Sequence, residues 1–320
     1  MEHTSHSIDI AAPADRVYRI IADVTAWPVH FPPTVHAERV HGDDRKERIR
    51  VWAVANGELH SWESDRLLDD AARTIDFQQT RPRHPVAAMG GSWRVDDRGG
   101  GESHVVLTHF YAAVGADPAG SALIGKAVDT NSMSELAAIK TVAERGVAPL
   151  EFADSEVISG SVEDVYEFVH ASDRWPERLP HVRRVHLTES EPGLQLMEMD
   201  TESPDGSVHT TVSWRVCVPG SRITYKQTKP PGIVSVHNGE WTFRELPGGA
   251  VRATSGHTVV IDEEALAALK AGGTSPTDPA EAIREALGGN SRATLHAAKV
   301  FAERGETVNP SGHPEEKESR

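Results

Sequence analysis

Gln79-Thr80-Arg81-Pro82 followed by Gly91-Ser92-Trp93 returns as Gln227-Thr228-Lys229-Pro230 followed by Gly239-Glu240-Trp241, each 148 positions further on. Working outward, Val17-Tyr18 and Trp27-Pro28 recur at the same shift as Val165-Tyr166 and Trp175-Pro176. Asn131-Ser132 then matches Asn290-Ser291, and Ala143-Glu144-Arg145-Gly146 matches Ala302-Glu303-Arg304-Gly305, at a shift of 159. The step from 148 to 159 places 11 extra residues in the second copy, between 262 and 289. A period of a whole domain means tandem duplication and not a solenoid. The 320 residues agree with two domains at roughly 150 residues each. The expected division is 1–146, a linker at 147–151, a second domain at 152–305 and a disordered tail at 306–320.

Both copies order their elements alike. Val17, Ile20 and Ile21 lie at helical spacing after Pro13, and Val165, Phe168 and Val169 after Ser161. The middle of each copy alternates with period two, and Asn56-Gly57 and Asp205-Gly206 favour hairpin turns. A long amphipathic helix closes each copy, through Met133, Leu136, Ile139 and Val142 in the first. In the second, Asp278-Pro279-Ala280-Glu281 resembles a capping box leading to Ile283 and Leu287. The predicted class is α+β: in each copy a curved antiparallel sheet and a long C-terminal helix enclose a cavity.

Composition narrows the function. With 48 acids against 33 bases the net charge is −15, which argues against nucleic-acid binding. One cysteine, Cys217, excludes an internal disulfide framework and a cysteine-rich zinc site. The 17 histidines show no HExxH spacing, and the pairs His36/His41 and His181/His186 read as surface residues. No GxSxG elbow, phosphate loop or GxGxxG fingerprint occurs, and no cofactor is called for. The N-terminus lacks the pattern of a signal peptide and no apolar run approaches the ~20 residues of a membrane span. A cytoplasmic protein without membrane contact is expected. The chemistry must come from acid–base groups in an enclosed space.

Alternation identifies those groups. Past the first turn, His60, Trp62, Ser64 and Arg66 share one face, expected inward; Leu59, Ser61, Glu63 and Asp65 share the other, expected in solvent. His209, Thr211, Ser213 and Arg215 correspond in the second copy. Val208, Val212, Trp214 and Val216 then point away from that cavity and are expected to pack against the other domain. His109 lies 16 residues beyond Trp93, and His257 16 beyond Trp241. His109 shares its face with Val105, Leu107 and Tyr111. A lone imidazole there is more often a core group, but its retention in both copies marks it as a catalytic candidate. Trp93 and Trp241 are candidate walls for a planar substrate.

Trp27-Pro28, the strand Ser61-Trp62-Glu63-Ser64-Asp65-Arg66, Trp93 and Asn131-Ser132, in this order and twice over, make the chain resemble the polyketide aromatase/cyclases of bacterial type II synthases. The two-domain subclass is the nearer match. His209-Thr210-Thr211, Gly239-Glu240-Trp241-Thr242-Phe243 and His257-Thr258-Val259-Val260 bring it closest to actinorhodin-type aromatases. The resemblance implies tandem helix-grip (Bet v 1/START-like) domains. It also implies first-ring aldol cyclisation, dehydrative aromatisation or both, of C7–C12 type, of a poly-β-ketone. A chain already reduced at one ketone is the favoured substrate, and a non-reducing cyclase closing the first ring of an unreduced chain is the nearest rival. The partners implied are an acyl carrier protein bearing the chain on phosphopantetheine, and other synthase components.

The family's pocket arginine falls on Arg66 and Arg215, and its pocket tryptophan on Trp62 but on Thr211 in the second copy. A tyrosine of single-domain relatives falls on Thr34 and Val182, which makes His109 and His257 stronger candidates. Catalytic roles are expected for Arg66, His109, Arg215 and His257. Substrate contacts are expected from His60, Trp62, Ser64, Trp93, Tyr111, His209, Thr211, Ser213 and Trp241. The fuller set in the first copy makes it the expected dominant domain. Arg81, Arg83 and His84, with Lys229, are candidate carrier-protein contacts, although solvated loop charge is the plainer reading. A non-catalytic carrier of hydrophobic ligands is the alternative from another class.

Overall fold

A computed structural model describes residues 1–55, 57–145, 148–203, 206–230, 232–273 and 275–304. The first lobe runs β1 (Glu2–Ile10), α1 (Ala14–Ala22), α2 (Trp27–His30), β2 (Thr34–Gly42), β3 (Lys46–Ala55), β4 (Glu58–Asp69), β5 (Thr74–Gln79), β6 (Val86–Gly99), β7 (Glu102–Ala113) and α3 (Pro118–Arg145). The second repeats it as β8 (Leu150–Ile158), α4 (Val162–His170), α5 (Trp175–Arg178), β9 (Val182–Glu191), β10 (Leu194–Glu202), β11 (Val208–Val218), β12 (Arg222–Lys229), β13 (Val234–Glu245) and β14 (Val251–Ile261). The helices α6 (Glu263–Ala271) and α7 (Pro279–Arg304) follow. Each lobe has one antiparallel seven-stranded sheet, ordered β1-β7-β6-β5-β4-β3-β2 and β8-β14-β13-β12-β11-β10-β9. The long helix lies across the concave face, as in a helix-grip fold.

Local chemistry sets the element ends. Ser161 caps α4 by accepting from the Asp164 amide at 3.0 Å, and Asp278 caps α7 by accepting from Ala280 and Glu281. Gly57 and Gly206 turn with φ of +84° and +81°, as their dipeptides predict; Asn56 and Asp205 lie outside the described residues. The extra residues of the second copy form α6, capped by Asp262. The second lobe starts at Leu150, inside the stretch expected to be linker, because Leu150 and Glu151 pair with Val259 and Thr258. Residues 305–320, expected to be a disordered tail, lie outside the described residues.

The outward face of β11 is covered at its C-terminal half. Trp214 and Val216 join Leu194 against Val35, Trp52, Val54 and Leu59 of the first lobe in one apolar cluster between the lobes. Leu59, expected in solvent, is 3% exposed for this reason. Val208, at the open end of the strand, remains 56% exposed. Polar contacts flank the cluster: Arg222 pairs with Glu38, and Arg83 with Glu191 at 3.0 Å.

Candidate active site

Each Trp-Pro motif closes a helix. The indole of Trp27 donates to the Ile21 carbonyl, and that of Trp175 to the Phe168 carbonyl, both at 3.1 Å. The guanidiniums of Arg66 and Arg215 lie over those rings, 5.2 and 5.8 Å from their centroids. Arg66 donates to the carbonyls of Ile21 and Ala22, and Arg215 to those of Val169 and His170. The last carbonyls of a helix have no intrahelical partner, and a buried cation at that end satisfies them. Trp-Pro and Arg therefore recur together for a structural reason.

The lobes part company at the next residue. Arg66 faces Glu47 across the β3–β4 ladder, with Nη1 3.0 Å from Oε1 and both side chains essentially unexposed. Burial outweighs the opposing pull of Glu47 and brings the Arg66 pKa to about 10, so Arg66 remains a paired cation. Gln195 stands across from Arg215 in the same ladder position. It turns to Glu189 and His170, at 2.8 and 3.2 Å. Arg215 donates instead to the neutral Ser172 hydroxyl at 2.6 Å. Among the described residues no carboxylate lies within ion-pair distance of it, Glu189 acting only from further off, and two of its five N–H donors have no acceptor among those contacts. Burial lowers its pKa, the ordinary penalty on an unpaired cation.

That guanidinium lines a cavity of about 100 Å³ between the second sheet and α7. The residues expected to face it do so: His209, Thr211, Ser213, Arg215, Trp241 and His257 are all on its wall. The same cavity wall carries a chain of hydrogen bonds with one direction. Ser255 donates to Ser291 at 3.0 Å, and Ser291 lies 2.8 Å from His257 Nε2. His257 Nδ1 is 2.9 Å from His237 Nε2, and His237 Nδ1 is 2.9 Å from Gln227 Oε1. An amide oxygen only accepts, so His237 carries its proton on Nδ1, His257 donates from Nδ1, and His257 Nε2 accepts from Ser291. Burial holds His257 down at about 4 and, with the neighbouring ring, His237 at about 3. Both imidazoles are neutral at pH 7. Phe152 stacks on His257 at 4.8 Å, and the Tyr225 hydroxyl lies 3.4 Å from His257 Nδ1. Tyr225 fits there because Gly239 has no Cβ, which would sit 2.2 Å from the tyrosine ring.

The first lobe does not assemble such a set, contrary to its expected dominance. His60 points to solvent near Glu58, 47% exposed at the open end of β4, and is not a pocket residue. Trp62 packs on Val24, Ala37, Ile49, Val51 and Ala53. Trp93 is stacked with Phe31 at 6.4 Å, and Tyr111 packs with Ala113, Ile124 and Val128. Ser64 is buried beside the Arg66 pair. His109 is interior, held near 4 by burial, but Met89 and Phe77 take the places of His237 and Tyr225. Consequently His109 Nδ1 and the Ser132 hydroxyl are buried without hydrogen bonds.

Several groups at these sites escaped the sequence reading. Gln227 and Ser291 stood inside repeated motifs and were legible there; His237 and Tyr225 occur in one copy only and left no signal. His181, read as a surface residue, lines the cavity. In the first lobe Glu135 lies one turn beyond Ser132 on α3, where Thr294 lines the second-lobe cavity. Burial alone pushes its carboxyl up to about 8. Arg83, a candidate carrier-protein contact, is held by Glu191. Among the described residues no cluster of three or more His, Cys, Asp or Glu could hold a metal ion, and no helix is long and apolar enough to cross a membrane.

Both lobes match family models described as polyketide cyclase/dehydrase and lipid transport, over residues 1–144 and 158–273. The granaticin polyketide synthase bifunctional cyclase/dehydratase of Streptomyces violaceoruber is 39% identical over 95% of both chains. The actinorhodin polyketide synthase bifunctional cyclase/dehydratase of Streptomyces coelicolor is 42% identical over 93% of this chain and 96% of its own. Among solved structures, the di-domain ARO/CYC BexL from the BE-7585A biosynthetic pathway superposes with a TM-score of 0.84 at 48% identity, covering 95% of this chain and 99% of that one. The di-domain ARO/CYC StfQ from the steffimycin pathway gives 0.82 at 31%, over 94% and 98%. With both lobes accounted for, the chain belongs to the polyketide cyclase/dehydrase family, as a two-domain member.

Proposed function

We propose that this polyketide cyclase/dehydratase acts on the first ring of a poly-β-ketone carried by acyl carrier protein, reduced at one ketone, and that its acid–base chemistry is centred in the second lobe. The observation that carries this reading is that Arg215, without a direct ion pair, and the neutral Ser291–His257–His237 chain line one cavity. Aldol closure removes a proton from a methylene between two carbonyls and places negative charge on oxygen. A preorganised guanidinium with free donors stabilises that charge where it develops. The proton passes to His257 Nε2, directly or through the Ser291 hydroxyl, and the imidazolium formed donates from Nδ1 to His237. In dehydration the same ring takes the α-proton and returns it to the departing hydroxyl: one C–H and one C–O bond break, a C=C bond forms, and water leaves.

Met197 and Met199 line the cavity, and their unbranched side chains can turn aside for a ligand larger than the resting space. Thr211, Ser213 and His209 are placed to hold carbonyl oxygens, and Trp241 to face a forming ring. Orientation of a flexible chain within such walls contributes several kcal/mol by itself. In the first lobe, Arg66 maintains the helix end, while His109 Nδ1 and the Ser132 hydroxyl remain without hydrogen bonds.

The reading is tested by adding the protein to a minimal synthase with its carrier protein, with and without a ketoreductase, and comparing aromatic products by mass spectrometry. A shift to first-ring aromatic product that needs the ketoreductase is expected. A shift only without it would favour cyclisation of unreduced chains. An unchanged profile in both would leave the non-catalytic carrier of hydrophobic ligands.

A further inference from the structure

Lys226 lies between Tyr225 and Gln227 on β12. Those neighbours line the second-lobe cavity, so alternation sends Lys226 out of the opposite face. It does not reach water. At 6% exposure, its ammonium enters the first lobe and donates to the carbonyls of Pro28, Phe31 and Thr34 at 2.7, 2.7 and 3.1 Å. Those contacts use all three of its N–H donors. None of them is a carboxylate; peptide carbonyls alone face the amine, and burial without a counter-charge draws its pKa down to about 7. The carbonyls run from α2 to the start of β2, a stretch in which Phe31 stacks on Trp93 and Trp27 lies under Arg66. The matching first-lobe residue is Gln78, which is exposed. The contact therefore belongs to the tandem arrangement and not to the repeat itself.

We propose that Lys226 is a positioning residue through which the first lobe fixes the cavity strand of the second. Gln227 sets the tautomer of His237, and through it that of His257. A strand anchored on its outer face at the adjacent residue holds Gln227 and Tyr225 in the register that this proton order needs. The first lobe then serves the reaction without touching the substrate. This inference rests on the second-lobe cavity being the reactive one, but its test requires no turnover.

The test compares the full-length protein with Lys226→Met and Arg222→Gln. The second breaks the partly exposed Arg222–Glu38 pair across the same interface. Imidazole ¹⁵N chemical shifts of His237 and His257 report the tautomers. Lys226→Met should move both rings from single-tautomer shifts toward averaged ones, and Arg222→Gln should leave them in place. Unchanged shifts in Lys226→Met would overturn the proposal. Equal changes in the two variants would also overturn it, because they would mark general loosening of the interface. If Lys226→Met does not fold, Lys226→Gln, which retains two donors, is read by the same criteria.

Discussion

Glu47 and Gln195 occupy the same place in the two lobes, each directly across a β-ladder from the buried arginine of its sheet. One is a carboxylate that pairs with its arginine, and the other an amide that turns to Glu189 and leaves Arg215 without a direct ion pair. The first lobe holds a compensated pair; the second holds a cation beside a cavity.

Replacing Gln195 by Glu should convert the second interior to the first. A carboxylate facing Arg215 would compete for the guanidinium and cancel the field that stabilises an enolate. Loss of one such stabilising donor typically costs about 10²–10³ in rate. The expected result is a comparable fall in aromatised product in the reconstituted assay, together with a lowered melting temperature, because the new carboxylate also replaces the amide that donates to Glu189 at 2.8 Å. Glu47→Gln acts the other way. Breaking a buried pair from one side costs about 3–5 kcal/mol, so a lowered melting temperature should outweigh any direct effect on turnover.

His257→Asn removes the ring that joins Ser291 to His237. General acid–base groups contribute roughly 10²–10⁴ in rate, and a loss in that range is expected from the ring that exchanges protons with substrate. His109→Asn, whose Nδ1 has no partner to lose, should cost less than tenfold, an order-of-magnitude bound set by the same principle. Parallel assay of the two variants decides between the lobes; equal losses would refute the asymmetry.

Much of the fold was legible in the chain. The duplication, the order of elements and the position of the extra residues follow from repeat register and alternation, as does the packing of Trp214 and Val216, though not of Val208, on the other lobe. The site was legible only where the copies agree. Repetition singles out residues that both lobes need, and Arg66, Arg215, Trp27 and Trp175 turn out to share a duty at helix ends. The groups that distinguish the second cavity (Gln195, Tyr225 and His237) lie where the copies differ, and a comparison of copies passes over them. Lys226 was invisible for a further reason: its partners are carbonyls of the other lobe, and a backbone acceptor leaves no mark on sequence.

The buried ionisable groups make stability depend on pH from both sides. His257 and His109 are held near 4 in the folded protein against about 6.5 when unfolded. The unfolded chain therefore binds more protons below that value, and the stability present above pH 6.5 falls as pH drops toward 4. For His257 the loss is on the order of 3 kcal/mol. Glu135 has the opposite sign. Its folded value is raised to about 8, so its contribution is full below the unfolded carboxylate range and is lost as pH rises through 8. Maximum stability is expected near pH 6, and Glu135→Gln should raise the melting temperature at pH 8 more than at pH 5. A parallel shift at both values would show that the carboxyl is ionised in the folded state.

Gly239→Ala tests whether the Tyr225 ring is placed by the missing side chain. The new Cβ would lie 2.2 Å from the ring carbon bearing the hydroxyl and 2.3 Å from the hydroxyl itself. The strand is fixed on both sides, since Gly239 pairs with Tyr225 on β12 and with His257 on β14. The backbone cannot yield easily, so the ring must swing away from His257 and into the cavity. Overpacking of this kind costs about 1–3 kcal/mol. A stable but slower enzyme is expected, with the loss recovered in part by Gly239→Ala/Tyr225→Phe if the hydroxyl is the atom in conflict. If the double variant is no faster than the single one, the ring itself and not its hydroxyl is what the glycine accommodates.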